Sequence, residues 1–207
     1  MVSILDSRDT VVLAGSNAGS IDQHGARRRS FDNVGVYSPP TVAARARQFI
    51  SNQPGGGHAT LIYGLMRTPI IQRIGYRPLG RIRDRNRGYY AIDLITLFRL
   101  IFEGSFYVDD ETMFFRRDVV PTQGSRSGGM IGRLALDRIP ITSRRLLHAH
   151  EYYADLRTIL RETDLDETLK ASLIRATIRE EARFYPVFGR KILERRFRDL
   201  ARQARKS

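Results

Sequence analysis

The sequence contains no cysteine, which excludes disulfide bonds, thiolate catalysis and metal sites with cysteine ligands. It has no apolar run of the roughly eighteen residues that a membrane-spanning helix requires. Its first residues have neither the basic region nor the sustained apolar region of a signal peptide. We therefore expect a folded, cytoplasmic protein, and an association with the inner face of the membrane is left open.

Several common catalytic and metal-binding motifs are also missing. The four histidines show no metal-ligand pattern, since His148 and His150 lie two positions apart and point to different faces of a helix. The sequence has no nucleophile elbow, no phosphate loop of the Walker type and no dinucleotide-binding fingerprint. No metal site is expected in this chain, and a signal for function has to come from a longer pattern.

Lysine is scarce, so arginine supplies almost all of the positive charge. The formal net charge is +13, and the only lysines are Lys170, Lys191 and Lys206. Such a charge attracts nucleic acid, an anionic membrane surface or a substrate that carries a diphosphate. Arginines spread over solvated helix faces would give the same composition, so the sign of the charge does not choose among these partners.

Turn residues and short β-branched runs divide residues 1–120 into strands and helices, which indicates an α/β fold class. The last two predicted strands flank an acidic turn at Asp109 and Asp110. The predicted elements are a strand at 10–14, a loop at 15–20, a turn closed by Gly25, a strand at 27–31, a helix at 38–50 capped by Ser38, a buried strand at 58–66, a helix at 68–75, an arginine-rich loop at 75–90, a helix at 93–103 and strands at 105–108 and 111–117.

The character of the sequence changes after Asp118. A polar, glycine-rich segment at 121–129 precedes three amphipathic stretches, which predict helices near 142–162, 166–185 and 186–204. We therefore predict two parts, an α/β domain at 1–120 and a helical C-terminal extension at 121–207.

Three segments occur in a fixed order: VVLAGSNAGSIDQHG, then GHATLIYGLMRTPIIQRIG, then YYAIDLITLFRLIFEGSFYVDDETMFFRR. Together they resemble the acceptor-side half of family 2 glycosyltransferases of the GT-A type, over residues 10–117. The resemblance implies a partial GT-A-like mixed sheet with flanking helices, followed by the helical tail. It also implies that the N-terminal half, which binds the sugar donor through an Asp-x-Asp motif, is missing from this chain.

The resemblance assigns roles to individual residues. Asp93 corresponds to the base that takes a proton from the acceptor hydroxyl, although an aspartate at a helix start is also a favoured cap. His58 and Tyr63 would line the acceptor pocket, or else belong to the core. Arg116 and Arg117 would steady the leaving nucleoside diphosphate, but adjacent strand residues point to opposite faces, so at most one of them reaches a common ligand.

The implied activity is the transfer of a hexose from a nucleotide-sugar donor to a saccharide or lipid-linked acceptor. The intact family enzyme would use Mn²⁺ or Mg²⁺, whereas this chain alone is expected to bind no cofactor and is expected to need the missing half for activity. The alternative is a basic nucleic-acid-binding or scaffold protein. In that case the arginine-rich loop at 77–87 and the tail at 190–206 contact phosphates, and tyrosines stack on bases.

Overall fold

A mixed sheet with flanking helices forms the protein in the computed structural model, which describes residues 1–51, 57–75, 92–117, 141–183 and 185. The predicted α/β class is confirmed at this level. In chain order the elements are α1 (Val2–Ser7), β1 (Val11–Ile21), β2 (Arg27–Phe31), α2 (Val42–Ser51), a 3-10 helix (Gly57–Tyr63), β3 (Leu65–Met66), α3 (Thr68–Ile74), α4 (Ile92–Glu103), β4 (Ser105–Arg117), α5 (Ile141–Glu162) and α6 (167–183).

Strand β1 lies at the centre of the sheet. It pairs with β4 in parallel along its whole length, from Val11 opposite Ser105 to Ile21 opposite Arg117. Strand β2 pairs with the last part of β1 and β3 with its first part, both in antiparallel orientation. Because β4 occupies one edge of β1, β2 and β3 share the other edge.

The predicted loop at 15–20 is wrong, because β1 continues through it to Ile21. Glycine and serine are weak strand formers, but here pairing with β4 throughout, and with β2 from Ala18 onward, outweighs local propensity. At Gly19 a Cβ atom would lie 3.0 Å from the ring of Phe115 and 3.3 Å from the carbonyl oxygen of Arg29. Because the residues of this segment are small, large side chains from neighbouring strands can lie over β1.

The two short strands predicted around an acidic turn are also wrong, since β4 is one strand with a bulge. Between Ser16 and Asn17 the register on β4 advances from Asp109 to Thr112, which leaves two residues of β4 without a partner on β1. The Nδ2 of Asn17 donates a hydrogen bond to the carbonyl oxygen of Asp110 at 2.8 Å. A bulge absorbs the extra residues without ending the strand.

The buried strand predicted at 58–66 is replaced by the 3-10 helix and the short strand β3. Gly64 lies between them directly on β1, where a Cβ atom would be only 2.8 Å from the carbonyl oxygen of Ala14. The prediction for α3 is confirmed. This helix ends at Gly75, whose φ is 60° and whose amide donates to the carbonyl oxygen of Ile71 at 2.9 Å.

Helix α2 begins later than predicted. Thr41 caps it, since the amide of Ala44 donates to its Oγ1 at 3.3 Å. Ser38, the predicted cap, instead donates through its Oγ to the carbonyl oxygen of Gly35 at 2.8 Å. The two prolines between Ser38 and Thr41 disfavour the helical conformation in the residues before them, which moves the start of the helix.

The predicted buried helix at 93–103 is confirmed as α4. It begins at Ile92, so Asp93 lies within its first turn. The buried Arg45 of α2 joins α2 to α4, because its Nε donates to the carbonyl oxygen of Ile101 at 2.8 Å. Burial lowers the pKa of this guanidinium. The apolar face of α4 forms the centre of the hydrophobic core with Leu94, Ile95, Leu97, Phe98, Leu100 and Ile101.

Helices α5 and α6 confirm the first two predicted C-terminal helices, and the third, at 186–204, lies outside the described residues. Helix α5 packs against α4, and one hydrophobic cluster runs from Leu13 of β1 to Leu173 of α6. The predicted boundary at residue 120 also lies outside the described residues and stays a prediction. Within the described ranges, no helix has the length and apolar character of a membrane span.

Candidate functional site

The second half of the sheet extends beyond α4 and has two distinct faces. Side chains alternate along a strand, and Leu13 and Gly15 of β1 lie on the side where α4 and the 3-10 helix pack. We call this side the α4 face and the opposite side the far face. Residues that pair across strands share a face, so the register shows on which face each neighbouring side chain lies.

Asp93 lies at the end of α4 that is directed toward the open half of the α4 face. Helix α4 leads through Gly104 straight into β4, and both pack in the same cluster, so the two elements run in opposite directions. Helix α4 rises about 18 Å, whereas β4 extends about 30 Å from Ser105 to Arg116, the length of β1 from Val11 to Ser20 opposite it. Asp93 therefore comes level with the middle of β4, and the last part of the strand lies beyond it.

A polar network, in which Asn33 is buried, lies near the N-terminal end of α4. Asn17 of β1 accepts a hydrogen bond from the amide of Asn33 at 2.7 Å through its Oδ1. Asn33 is only 1% exposed, and its Nδ2 donates to the Oγ1 of Thr60 at 3.3 Å. Through the bond from Asn17 to Asp110, this network joins β1, the bulge of β4 and the 3-10 helix. Buried groups that are satisfied in this way hold the surrounding backbone in a single arrangement.

Beyond the network, the α4 face carries one aromatic ring and two guanidinium groups near Gly19. Phe115 lies beside Gly19, and the guanidinium of Arg27 lies 5.2 Å from the centre of the Phe115 ring. Arg117 pairs with Ile21 on the same face and donates to the carbonyl oxygen of Gln23 at 3.3 Å. All three side chains are exposed.

The far face carries a second group of aromatic and basic side chains. The rings of Tyr63 and Phe114 stack with centroids 4.7 Å apart and planes 17° from parallel. The guanidinium of Arg116 lies over the ring of Phe31 at 6.0 Å. Arg29 pairs with Ser20 across from Arg116. We call these five residues, Tyr63, Phe114, Phe31, Arg116 and Arg29, the far-face platform.

The structure thus divides the predicted site residues between two faces. Asp93 and Arg117 belong to the α4 face, whereas Tyr63 and Arg116 belong to the far face, as adjacent strand residues require for the two arginines. The expectation that Tyr63 belongs to the core is wrong, because its side chain is 67% exposed. The backbone of His58 lies in the 3-10 helix. The roles assigned to all five residues stay predictions.

Three residues of this region were not identified from the sequence. Phe115 and Arg27 on the α4 face and Phe114 on the far face become neighbours of the predicted residues only through strand pairing. No local motif marks them, since the contacts join strands that are separated by most of the domain.

The residues present at the α4 face do not form a metal-ligand set. Across the described ranges, no group of three or more histidine, aspartate or glutamate side chains could hold a metal ion.

A half-buried carboxyl group, Asp155 of α5, lies apart from the sheet. Burial and, to a lesser extent, the nearby Glu151 raise its pKa to about 6, against the opposing effect of Arg99 of α4. Glu151 and Asp155 are four positions apart on one helix face, a like-charge spacing that is readable from the sequence. The carboxylate form of Asp155 is therefore disfavoured in the folded protein.

Replacing Asp155 with asparagine is expected to stabilise the protein at neutral pH. An acid whose pKa is raised on folding lowers the free energy of unfolding as the pH rises from about 4 to about 6, and the loss persists above that range. The full shift would correspond to about 3 kcal/mol. Solvent screening of the half-exposed group reduces the gain to about 1 kcal/mol.

Denaturant unfolding of both proteins at pH 4 and at pH 7.5 measures this effect. The exposed Asp164, whose replacement by asparagine should change little at either pH, serves as the control. An Asp155→Asn variant with the same stability difference at both pH values would contradict the assignment.

Glu181 of α6 joins the two C-terminal helices. Its carboxylate accepts hydrogen bonds from His150 Nδ1 at 2.7 Å, Arg157 Nη1 at 2.5 Å and the Tyr185 hydroxyl at 2.9 Å. Burial alone would raise the pKa of Glu181, but these three donors together lower it. The cluster therefore acts as a tie between α5 and α6 at neutral pH.

Comparison with known proteins does not assign a function, so the geometry of the α4 face is the basis for one. No protein family model, no curated protein and no solved structure matches this chain.

Proposed function

We propose that this chain is the acceptor-side part of a nucleotide-sugar glycosyltransferase with a GT-A-like fold, in which Asp93 is the general base. The observation that carries the proposal is the position of Asp93 in the first turn of α4, at the end directed toward the open half of the α4 face. In open α/β sheets, ligands bind outside the carboxyl ends of parallel strands, and β1 and β4 are such a pair.

The chemical task of the protein in this reaction is to accept one proton. As the acceptor hydroxyl oxygen attacks the anomeric carbon, its proton passes to the Asp93 carboxylate, and the bond from that carbon to the nucleoside diphosphate breaks. The leaving group departs with its bonding electron pair and gains negative charge. In an intact enzyme of the family that the sequence resembles, Mn²⁺ or Mg²⁺ would supply part of the compensating positive charge.

Arg27 and Arg117 support this assignment because they place positive charge on the same face as Asp93. Neither forms an ion pair with a carboxylate within the described residues. Guanidinium groups bind phosphate oxygens through two parallel hydrogen bonds, which suits a diphosphate leaving group. Phe115, whose ring lies against Gly19, offers an exposed aromatic surface for a sugar.

Saccharide binding to the α4 face tests the proposal directly. We expect saturation-transfer NMR to detect binding of neutral oligosaccharides, and we expect Phe115→Ala to weaken the affinity by about three- to tenfold, the range for one exposed aromatic contact. Ile178→Ala, which removes an exposed apolar side chain from α6, away from the sheet, is the matched control for this binding. Absence of any saccharide binding, or an equal loss caused by Ile178→Ala and by Phe115→Ala, would contradict an acceptor site on the α4 face.

A nucleic-acid-binding or scaffold function remains the second candidate. The observation that favours it is β2, whose Arg27, Arg28 and Arg29 are consecutive and exposed, and of which Arg28 pairs with Asp22 at 3.2 Å. The loop at 77–87 and the tail at 190–206, which this function would also use, lie outside the described residues. Anisotropy of a labelled single-stranded oligonucleotide across a salt series distinguishes the two, since affinity that persists at physiological salt favours this candidate.

A further inference from the structure

The far-face platform is a binding surface of its own, separated from Asp93 by the thickness of the sheet. Helix α1 covers the first part of this face, where Leu5 packs with Ala14 and Tyr107. Within the described residues, no helix covers the last part, which carries Tyr63, Phe114 and the two arginines. Tyr63 is 67% exposed there, whereas Phe31 and Phe114 are half-buried.

The chemistry of the platform changes along the strands. Phe31 and Phe114 flank Ala18 in one row, and Arg29 and Arg116 flank Ser20 in the next row of the same face. In the other direction, Asp109 pairs with Ser16 on this face. A ligand lying along the strands therefore meets a carboxylate, then an aromatic surface and then two guanidinium groups.

Each part of this surface matches one part of a charged sugar. The C–H groups on the face of a sugar ring pack on the electron-rich face of an aromatic side chain, and Tyr63, which stacks on Phe114, is 67% exposed. The carboxylate of Asp109 can accept hydrogen bonds from sugar hydroxyls. Guanidinium groups form paired hydrogen bonds with carboxylate, sulfate or phosphate substituents. Three strands and two rows give a surface of about 10 Å by 7 Å, which accommodates one or two sugar rings.

We propose that the far-face platform binds an anionic saccharide, with Tyr63 and Phe114 under a sugar ring and with Arg29 and Arg116 on its negative substituents. The surface adds to the proposed function and does not depend on Asp93. A nucleic acid fits less well, because a single strand requires a positive groove that follows many phosphates. The platform offers two arginines, and Asp109 lies on the same face.

The test uses the full chain and two oligosaccharides that differ only in charge, a hexamer of uronic acid and its carboxyl-reduced counterpart. In NMR titrations at low ionic strength, we expect the charged hexamer to bind about three- to tenfold more tightly, as two exposed ion pairs allow. Arg29→Gln with Arg116→Gln should remove this preference. Arg117→Gln, which removes the adjacent charge on the opposite face, should keep it.

Tyr63 is tested separately. Tyr63→Ala should weaken binding of both hexamers to the platform, and Tyr63→Phe, which keeps the ring, should retain it. Melting temperatures of all variants show whether the fold is preserved, and the phenylalanine variant keeps the test decisive if the alanine variant is unstable.

Four results would overturn the inference. The first is equal binding of the two hexamers, which leaves the proposed acceptor site on the α4 face untouched because Phe115→Ala tests that site. The second is an equal effect of Arg116→Gln and Arg117→Gln, which would indicate nonspecific attraction. The third is competition by uridine diphosphate that depends on Arg116, which would assign this arginine to the leaving group. The fourth is tighter binding of a single-stranded oligonucleotide or of vesicles of anionic lipid.

Discussion

Replacement of Asp93 by asparagine is expected to reduce sugar transfer by about 10²–10⁴-fold, the range assigned to general-base catalysis. Asparagine has nearly the same shape but cannot take a proton from the acceptor hydroxyl. Because Asp93 lies in the first turn of α4, the lost charge also removes a favourable interaction with the helix dipole. That loss costs about 0.3–1 kcal/mol, too little to unfold the protein.

The rate is measured with a labelled nucleotide sugar. The assay uses whichever protein transfers the sugar, either this chain by itself or this chain joined to a donor-binding half. A loss in kcat at unchanged melting temperature and donor affinity separates a base from a structural residue. Asp166→Asn is the matched control, because Asp166 also lies at a helix start, where its Oδ1 accepts from the amide of Leu169 at 3.0 Å. Retention of most of the turnover by Asp93→Asn would leave Asp93 as a helix-start residue only.

Gly104→Ala is expected to lower the free energy of unfolding by about 3–5 kcal/mol, through overpacking and a displaced hydrogen bond. A Cβ atom at this position would lie 2.4 Å from Cγ1 of Val12 and 2.5 Å from the carbonyl oxygen of Thr10. The same oxygen accepts the amide of Ser105 at 2.9 Å, a bond that fixes the start of the parallel pairing between β1 and β4. The backbone would have to move to relieve the clash, and this movement would separate β1 from β4 at the start of their pairing.

Denaturant unfolding compares this variant with Gly25→Ala. Gly25 has a φ of 87°, but a Cβ atom there meets nothing within 4 Å. Its replacement is therefore expected to cost only the backbone strain, about 1–2 kcal/mol. If Gly104→Ala costs no more than Gly25→Ala, the close approach of Gly104 to β1 is not a constraint on the fold.

The candidate site was only partly predictable from the sequence. Asp93 could be placed at the start of a helix because the apolar segment that follows it has helical length and ends at a glycine. Its position against an open sheet face could not, since it depends on how far α4 extends along β4. Tyr63 was identified, but its stacking partner Phe114 was not, because the two residues are distant in the chain.

The sequence by itself determined the elements whose signals are local. Helices α3, α4, α5 and α6 follow from local signals, which for α3 and α4 include a glycine end, and the turn at Gly25 before β2 follows from its turn residues. The sequence also determined that arginine dominates the charge. These features depend on residues within a few positions of each other, where periodicity and turn propensity are informative.

Only the tertiary structure decided how far the strands extend and which residues share a face. Strand β1 passes through residues 15–20 because β4 pairs with this whole segment and β2 pairs with its last part. Strand β4 in turn absorbs its acidic residues in a bulge that Asn17 of β1 holds. The register then places Arg117 on the side of Asp93 and Arg116 on the side of Tyr63. Strand pairing joins residues that are distant in the chain, so the physical cause of this sorting lies outside any local pattern.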